Sequence, residues 1–266
     1  MRIDKYLAAA GYTKSRKYAQ DLIDAGAVKV DGAVVKKASV EIDHTVPHTV
    51  ELSELYKYVS RGGMKLEAAL DAFGISVNGL KAVDVGASTG GFTDCMLKRG
   101  AREVYAIDSG IGQLHPDLLA DPRVHSVEKF NARELNASVT EGECDIAVEC
   151  DIAVADVSFI SQTYIIAPVC SVLKAGAPYI SLIKPQFEAG TSGVGKNGIV
   201  TNSAYRFLAV KRVLNCAHEN GMDCRGLIPS PITGGDGNRE YLAYFVKSPC
   251  IKMKIDDREI KRITLL

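Results

Sequence analysis

The sequence lacks net charge: its 32 Lys and Arg residues are balanced by 32 Asp and Glu over 266 residues. A neutral total argues against a polyanionic partner held by bulk charge. Long apolar runs are also missing. The start, MRIDKYLAAAGYTKSRK, has no apolar core of a secretory signal, and nothing approaches the roughly 18 apolar residues of a membrane span. Seven cysteines are scattered without a CxxC pair. The chain is long enough to bury its own core without disulfide staples, so free thiols in a reducing cytoplasm are expected. His44 and His48 stand four apart with no further ligand type beside them, and no metal is expected there. With 47% hydrophobic and 24% charged residues, the composition excludes a wholly disordered or fibrous chain.

What is present is unevenly distributed. Residues 1–65 carry 11 Lys and Arg against 8 Asp and Glu, and residues 66–266 carry 21 against 24. In the first twenty residues Arg2, Lys5, Lys14, Arg16 and Lys17 face only Asp4. Ile3, Leu7 and Ala10 recur at helical spacing until Gly11, and Ser15 can cap a second helix in which Tyr18, Ala19, Leu22 and Ile23 share a face before Gly26. VKVDGAVV then alternates about Asp31-Gly32, a two-residue hairpin signal. A basic helix start offers backbone N–H groups and positive side chains to phosphate, and the same charges also suit a plain solvated face. The order of these pieces, R-I-D, then SR, then a Gly-x-Val-x-Val-Asp-Gly hairpin, resembles the S4-like RNA-binding domain over about fifty residues. That resemblance implies docking on structured RNA through shape and phosphates rather than through base edges.

Residues 41–60 are expected to finish this small domain, and SRGG at 60–63 reads as a hinge. A helix is expected from near Met64, with Leu66, Ala69, Leu70 and Phe73 on its apolar face and Gly74 closing it. KAVDVGASTGGFTDCMLKRGAREVYAIDSG follows. It reads as a strand (Ala82 to Val85), a glycine loop, a helix from about Phe92 and a second strand (Val104 to Ile107) ending at Asp108. This is the first β-α-β of a doubly wound sheet. Asp108 lies where an acidic group can hold ribose hydroxyls. GASTGG departs from the dinucleotide pattern, and Asp84 before it would repel a pyrophosphate but suits a cationic ligand. S-adenosylmethionine, with a sulfonium and an ammonium and no phosphate, fits better than a dinucleotide, and purely structural glycines stay open. GTSGVGKN, Gly190 to Asn197, has the spacing of a phosphate loop, but Asn197 replaces the magnesium-binding Ser or Thr. It reads as a Gly-rich loop.

Four polar residues stand at element ends, where a doubly wound sheet places its chemistry. Asp156 follows DIAVA, Lys184 follows YISLI, Glu240 opens EYLAYFV, and Lys65 lies in SRGGMKLEAAL. Taken singly, each also suits a routine element-end charge. Taken in order, DVGASTGGFTDCMLKRGA, ADVSFIS, LIKPQFEAG and the loop before REYL resemble the TlyA family of ribosomal RNA 2′-O-methyltransferases. In that family an S4-like domain precedes an FtsJ-like methyltransferase domain, and the resemblance runs from about residue 1 to 247. It implies an α/β fold: a small α+β S4-like domain over 1–59, a linker at 60–63, and a Rossmann-like methyltransferase domain over 64–266. The family's Lys-Asp-Lys-Glu tetrad falls on Lys65, Asp156, Lys184 and Glu240. S-adenosylmethionine is the implied cofactor. Gly86, Ser88, Thr89, Gly90, Gly91, Phe92 and Thr93 are expected to line its loop with Asp84 before them, Asp108 to hold its ribose and Asn131 to reach its adenine. An asparagine such as Asn131 is also a common turn residue.

Methylating a ribose hydroxyl needs that hydroxyl to lose its proton as it attacks in line. Burial and a second cation can depress a lysine enough for the neutral amine to act as base, whereas a neighbouring anion works the other way. Lys184 is assigned as base or hydroxyl-orienting group, Lys65 as nearby positive charge, and Asp156 and Glu240 as orienting groups. The implied partner is ribosomal RNA or a ribosomal subunit in the cytoplasm. Cytidine of 23S rRNA is the expected target, with 16S rRNA the additional candidate; the short segment before Arg2 favours the large subunit alone. The rival is a non-catalytic RNA-binding or ribosome-assembly factor on the same fold. A membrane-lytic role, suggested by the haemolysin label given to this family, is disfavoured by the missing span. One departure stands out: ECDIAV occurs at 143–148 and again at 149–154. The second copy has the right distance to Asp156 for the fourth strand, and the first is expected outside it as an extension, bulge or loop. A six-residue slip preserves the alternation of faces, so the alternative register stays open.

Overall fold

The computed structural model describes residues 1–266 apart from 14, 25, 53–56, 137–148, 196, 249–254 and 266. The chain divides into two compact units, Met1–Lys57 and Tyr58–Leu266.

In the small unit, α1 (Ile3–Ala9) and α2 (Arg16–Asp24) are followed by β1 (Val28–Val30), β2 (Ala33–Val34) and β3 (Val50–Leu52). The Ser15 hydroxyl accepts from Tyr18 N at 3.1 Å, which caps α2 as its position before the helix requires. Asp31 and Gly32 both take positive φ, 51° and 79°. That twist joins β1 to β2 in a tight hairpin, with Val30 opposite Ala33. β3 adds antiparallel to the other edge of β1. Ile3, Leu7, Ala19, Leu22, Ile23, Ala27 and Val28 close the core, with Tyr18 partly buried against it; Ala10, read on the same face, is exposed because α1 ends at Ala9.

The large unit begins with α3 (Gly62–Phe73) and β4 (Lys81–Val85), followed by α4 (Gly91–Lys98) and β5 (Glu103–Ile107). Then come α5 (Pro116–Leu119), β6 (Val124–Val127), β7 (Ile152–Ala155), α6 (Ile166–Val172), β8 (Pro178–Ile183) and α7 (Pro185–Glu188). The last elements are α8 (Ser203–Glu219), β9 (Met222–Pro229), β10 (Tyr241–Lys247) and α9 (Asp257–Leu265). The strands form one seven-stranded sheet in the order β6-β5-β4-β7-β8-β10-β9. All neighbours are parallel except β10, which runs antiparallel to both β8 and β9. The central strands β4, β7 and β8 are buried and largely apolar because helices cover both faces, and two separate apolar clusters fill those two interfaces.

Two sequence readings meet the structure here. β7 is built from the second ECDIAV copy and pairs with β4 and β8, as its distance to Asp156 requires; the first copy, at 143–148, lies outside the described residues. Residues 60–63, read as a hinge, belong to the large unit, and α3 already starts at Gly62. The glycines serve close approach rather than freedom. A Cβ on Gly63 would fall 2.3 Å from the Tyr58 ring, and one on Gly91 would fall 2.2 Å from Ser60 Oγ. Val59 N also donates to Asp94 of α4 at 2.8 Å.

Candidate active site

The carboxyl ends of β4, β5, β7 and β8 lie on one edge of the sheet, and β10, being antiparallel, starts there. Strand order reverses between β4 and β7, so a crevice opens beyond them. A cleft of about 430 Å³ occupies this place, lined by Gly86, Ser88, Asp108, Asn131, Asp156 and Phe159 among others.

Gly86 turns the chain out of β4 at φ 83°. Only glycine fits: a Cβ there would lie 2.8 Å from the Asp156 carbonyl oxygen. Ser88 N then donates to Asp108 Oδ2 at 2.8 Å, and Gly110 N donates to Asp108 Oδ1 at 2.7 Å. Asp108 is thus fixed at the end of β5 with its carboxylate on the cleft wall. Asn131 lines the cleft and also caps a short 3-10 turn, accepting from Arg133 N at 3.2 Å, so the turn role and the cleft position coincide.

The second half of the glycine loop sits behind the wall. Gly90, at φ 93°, starts α4, and a Cβ there would strike Leu118 Cδ1 at 2.2 Å. Gly91 packs on residues 60–63 and Phe92 is buried. Thr89 is exposed and its carbonyl accepts from His115 N. Gly90, Gly91, Phe92 and Thr93, expected to line the loop, therefore shape it from behind, and none of them lines the cleft. Thr93 donates to Asp84 Oδ2 at 2.7 Å. Asp84 is fully buried, and its other oxygen has no hydrogen-bond partner. Burial pushes its carboxyl up to about 7; Thr93 opposes the shift, and the charges of Asp156 and Asp108 reinforce it.

The tetrad forms two ion pairs. Lys65 Nζ of α3 lies 2.5 Å from Glu240 Oε2, with both side chains nearly withdrawn from water. Lys184 Nζ lies 2.6 Å from Asp156 Oδ1 and donates to Ser158 Oγ at 2.7 Å. Asp156 and Ser158 both line the cleft. Ile183 is opposite Tyr241 in the β8–β10 register, so Lys184 and Glu240, each one residue beyond that pair, leave the sheet edge side by side. The Gly-rich run at 190–198 supports this corner. Asn238 accepts from Val200 N and donates to Gly198 O, both at 2.9 Å, tying that run to the loop before Glu240. It follows α7 rather than opening a helix after a strand, as a phosphate loop would.

Sequence reasoning missed Ser158, Phe159 and Asn238. The segment ADVSFIS and the loop before REYL carried the signal, but alternation cannot show which of their side chains turn toward the cleft. Phe159 is the most unusual of them: it is 92% exposed and takes φ 63°, a left-handed conformation rare for a bulky residue. Among the described residues no group of three His, Cys, Asp or Glu is placed to hold a metal. No helix among them is long and apolar enough to cross a membrane.

Comparison with known proteins agrees with this geometry. A model of the FtsJ-like methyltransferase family matches residues 58–247, and a model of the S4 domain matches residues 1–45. Over 243 residues the chain is 40% identical to the 16S/23S rRNA (cytidine-2′-O)-methyltransferase TlyA of Mycobacterium tuberculosis, covering 91% of this chain and 88% of that one. The chain belongs to the TlyA family. Another similar protein, Hemolysin A of Brachyspira hyodysenteriae, is 44% identical over 92% of this chain and its own full length. A solved structure described as a "putative hemolysin from Streptococcus thermophilus" superposes with a TM-score of 0.79 at 37% identity, covering 100% of this chain and 94% of that one. The TlyA-family fold is therefore an S4 domain followed by an FtsJ-like methyltransferase domain, and the cleft lies at the switch point of the sheet, where open α/β folds bind ligands.

The residues present fit S-adenosylmethionine. A buried carboxylate oxygen of Asp84 lacks a partner, and the charges of Asp156 and Asp108 are close enough to act on Asp84. Such a trio repels phosphate and favours a ligand carrying a sulfonium and an ammonium.

Proposed function

We propose that this protein is an S-adenosylmethionine-dependent 2′-O-methyltransferase of ribosomal RNA, with cytidine as the target. The Met1–Lys57 unit would serve docking and the Tyr58–Leu266 unit methyl transfer. The observation that carries the reading is the pair of lysine–carboxylate contacts, Lys65–Glu240 and Lys184–Asp156, at the sheet edge beside a cleft walled by carboxylates.

Asp108 would take the ribose hydroxyls of S-adenosylmethionine, Asp84 and the Gly86–Ser88 turn its charged end, and Asn131 its adenine side. When bound, the cofactor supplies a methyl group made electrophilic by a cationic sulfur. The chain's own residues do the rest. Lys184, pinned by Asp156 and Ser158, orients the attacking 2′-hydroxyl, and the Lys184–Asp156 pair receives the proton that oxygen loses as it gains the methyl. Lys65, held by Glu240, keeps a fixed positive charge at the sheet edge. Much of the acceleration comes from alignment of the reacting atoms. An aromatic ring as exposed as Phe159 at the cleft mouth is apolar surface that a stacked base would cover. The substrate places the reaction in the cytoplasm, on free rRNA or on a ribosomal subunit.

The test is transfer of labelled methyl from S-adenosylmethionine to ribosomal RNA, with the modified ribose mapped. Lys184→Ala is expected to abolish transfer while cofactor binding persists. Cofactor binding without any transfer by the wild-type protein would favour the assembly-factor reading, and full activity in Lys184→Ala would remove the role given to that lysine.

A further inference from the structure

The two loops that bear Asp156 and Lys184 are joined along their length. Near the cleft, Lys184 Nζ contacts Asp156 and Ser158 at 2.6 and 2.7 Å. Further on, the Phe159 and Phe187 rings lie 5.4 Å apart, tilted by 52°. At the far end the contacts become buried. The Ser161 hydroxyl donates to Glu188 Oε2 at 2.5 Å, and Gln162 N donates to Glu188 Oε1 at 2.7 Å. Both carboxylate oxygens of Glu188 are therefore committed to the opposite loop. Gln162 is anchored in turn: it donates to Leu182 O at 3.1 Å and accepts from the Tyr179 hydroxyl at 3.1 Å, both on β8. From α8, Arg212 donates to the Glu188 carbonyl at 3.3 Å.

We infer that Glu188 is a positioning residue of the reaction centre: its carboxylate latches the 156–161 loop to the 184–188 segment and so fixes Asp156 and Ser158 around Lys184 Nζ. The inference rests on the methyltransferase reading above. Glu188 is only 3% exposed and does not line the cleft, so it acts through the Lys184 pair rather than by touching substrate. The backbone gives an independent sign of tension in this loop. Phe159 is held at φ 63° two residues before the latched Ser161, and such a conformation persists only where the surroundings enforce it. Burial raises the Glu188 carboxyl, with Ser161 and Gln162 opposing, as expected of a carboxylate that has exchanged water for two fixed donors.

A carboxylate retained for stability alone predicts parallel losses in every activity; a latch predicts a selective one. The full-length protein is assayed for methyl transfer to ribosomal RNA, and S-adenosylmethionine affinity is measured separately by calorimetry. Glu188→Ala is expected to lower kcat by about 10–100-fold, the scale of a small misplacement of reacting groups, with cofactor affinity unchanged. Glu188→Gln is expected to recover most of kcat, because its amide oxygen still accepts from Gln162 N and its NH2 can donate to Ser161 Oγ. Should Glu188→Ala fail to fold, Ser161→Ala opens the latch from the other side and is expected to lower kcat selectively too. Wild-type kcat in a folded Glu188→Ala, no recovery in Glu188→Gln, or equal losses of cofactor affinity and kcat would each overturn the latch. Absence of transfer by the wild-type protein is a different result, and it would remove the underlying reading instead.

Discussion

A carboxylate sealed from water folds more easily neutral than ionised, and Asp84 shows this with its carboxyl raised to about 7. Because the folded value lies above the unfolded value of 3.8, the contribution of Asp84 to stability is expected to fall as pH rises from about 4 to about 7 and to stay level above that. Asp84→Asn has no charge to bury. Its melting temperature is expected to gain on wild type across that window, and calorimetric melts at a series of pH values check it; equal slopes would show that Asp84 ionises freely. If Asp84 holds the charged end of S-adenosylmethionine as proposed, cofactor affinity is expected to rise with pH through about 7 in the wild type, since a cationic ligand selects the ionised form. Affinity in Asp84→Asn is expected to be weaker and flat. Asp4 has the opposite sign. Burial would raise it, but hydrogen bonds from Gln20, Arg2 and Arg16 hold it well below the usual carboxylate range. Its contribution is complete above about pH 4 and is lost as acid protonates it, so Asp4→Asn is expected to flatten the acid limb of the small unit's unfolding. Arg2 and Arg16 were legible as basic residues suited to phosphate. Their shared carboxylate was not, because Arg16 and Asp4, twelve positions apart, meet only after two helices pack.

At the scale of elements, period and punctuation carried the strands and helices well. The apolar runs became β4, β5, β7 and β8, and Gly74 closes α3 at φ 65°. Glycines were read less completely. At 60–63, 90 and 91 they permit close contact, and a sequence does not distinguish a glycine needed for space from one needed for freedom. The tail after Lys247 carried a readable sign as well: Ile260 and Ile263, one helical turn apart, are the buried face of α9. What the pattern could not reveal is its anchor. Arg206 of α8 is buried and donates to Thr264 O at 3.1 and 3.0 Å and to Thr201 O at 2.6 Å. The two bonds to Thr264 O satisfy one carbonyl in the last turn of α9, where a positive charge also suits the helix dipole, and the third satisfies a carbonyl just before α8. Arg206→Ala leaves them without donors, each such loss costing about 1–3 kcal/mol. Hydrogen exchange is expected to rise over Asp257–Leu265 while β4 and β5 stay protected; uniform protection of α9 would assign its anchoring to the apolar contacts alone.

Across the whole molecule, neutrality hides a division of labour that decides how salt acts. A few charges in direct contact with phosphates release counterions whatever the total charge of the chain, so affinity for ribosomal RNA is expected to fall linearly on a log–log plot against salt. The basic residues of the small unit divide into two kinds. Arg2 and Arg16 are half exposed but bound to Asp4, so replacing either also disturbs the fold that presents it. Lys5 is exposed, and Lys17 is 68% exposed with only a loose pair to Asp21 at 3.5 Å; such a surface pair contributes little to stability. Lys14 lies outside the described residues. Lys5→Gln and Lys17→Gln therefore separate docking from folding. Each is expected to lower the salt slope by about 0.7–0.9, the value of one phosphate contact, with melting temperature and S-adenosylmethionine affinity unchanged. Titration of a fluorescent ribosomal RNA fragment at several salt concentrations measures that slope. If both variants keep the wild-type slope, the RNA is held by another face, and the basic helix start is a solvated surface, as charge counting alone allows.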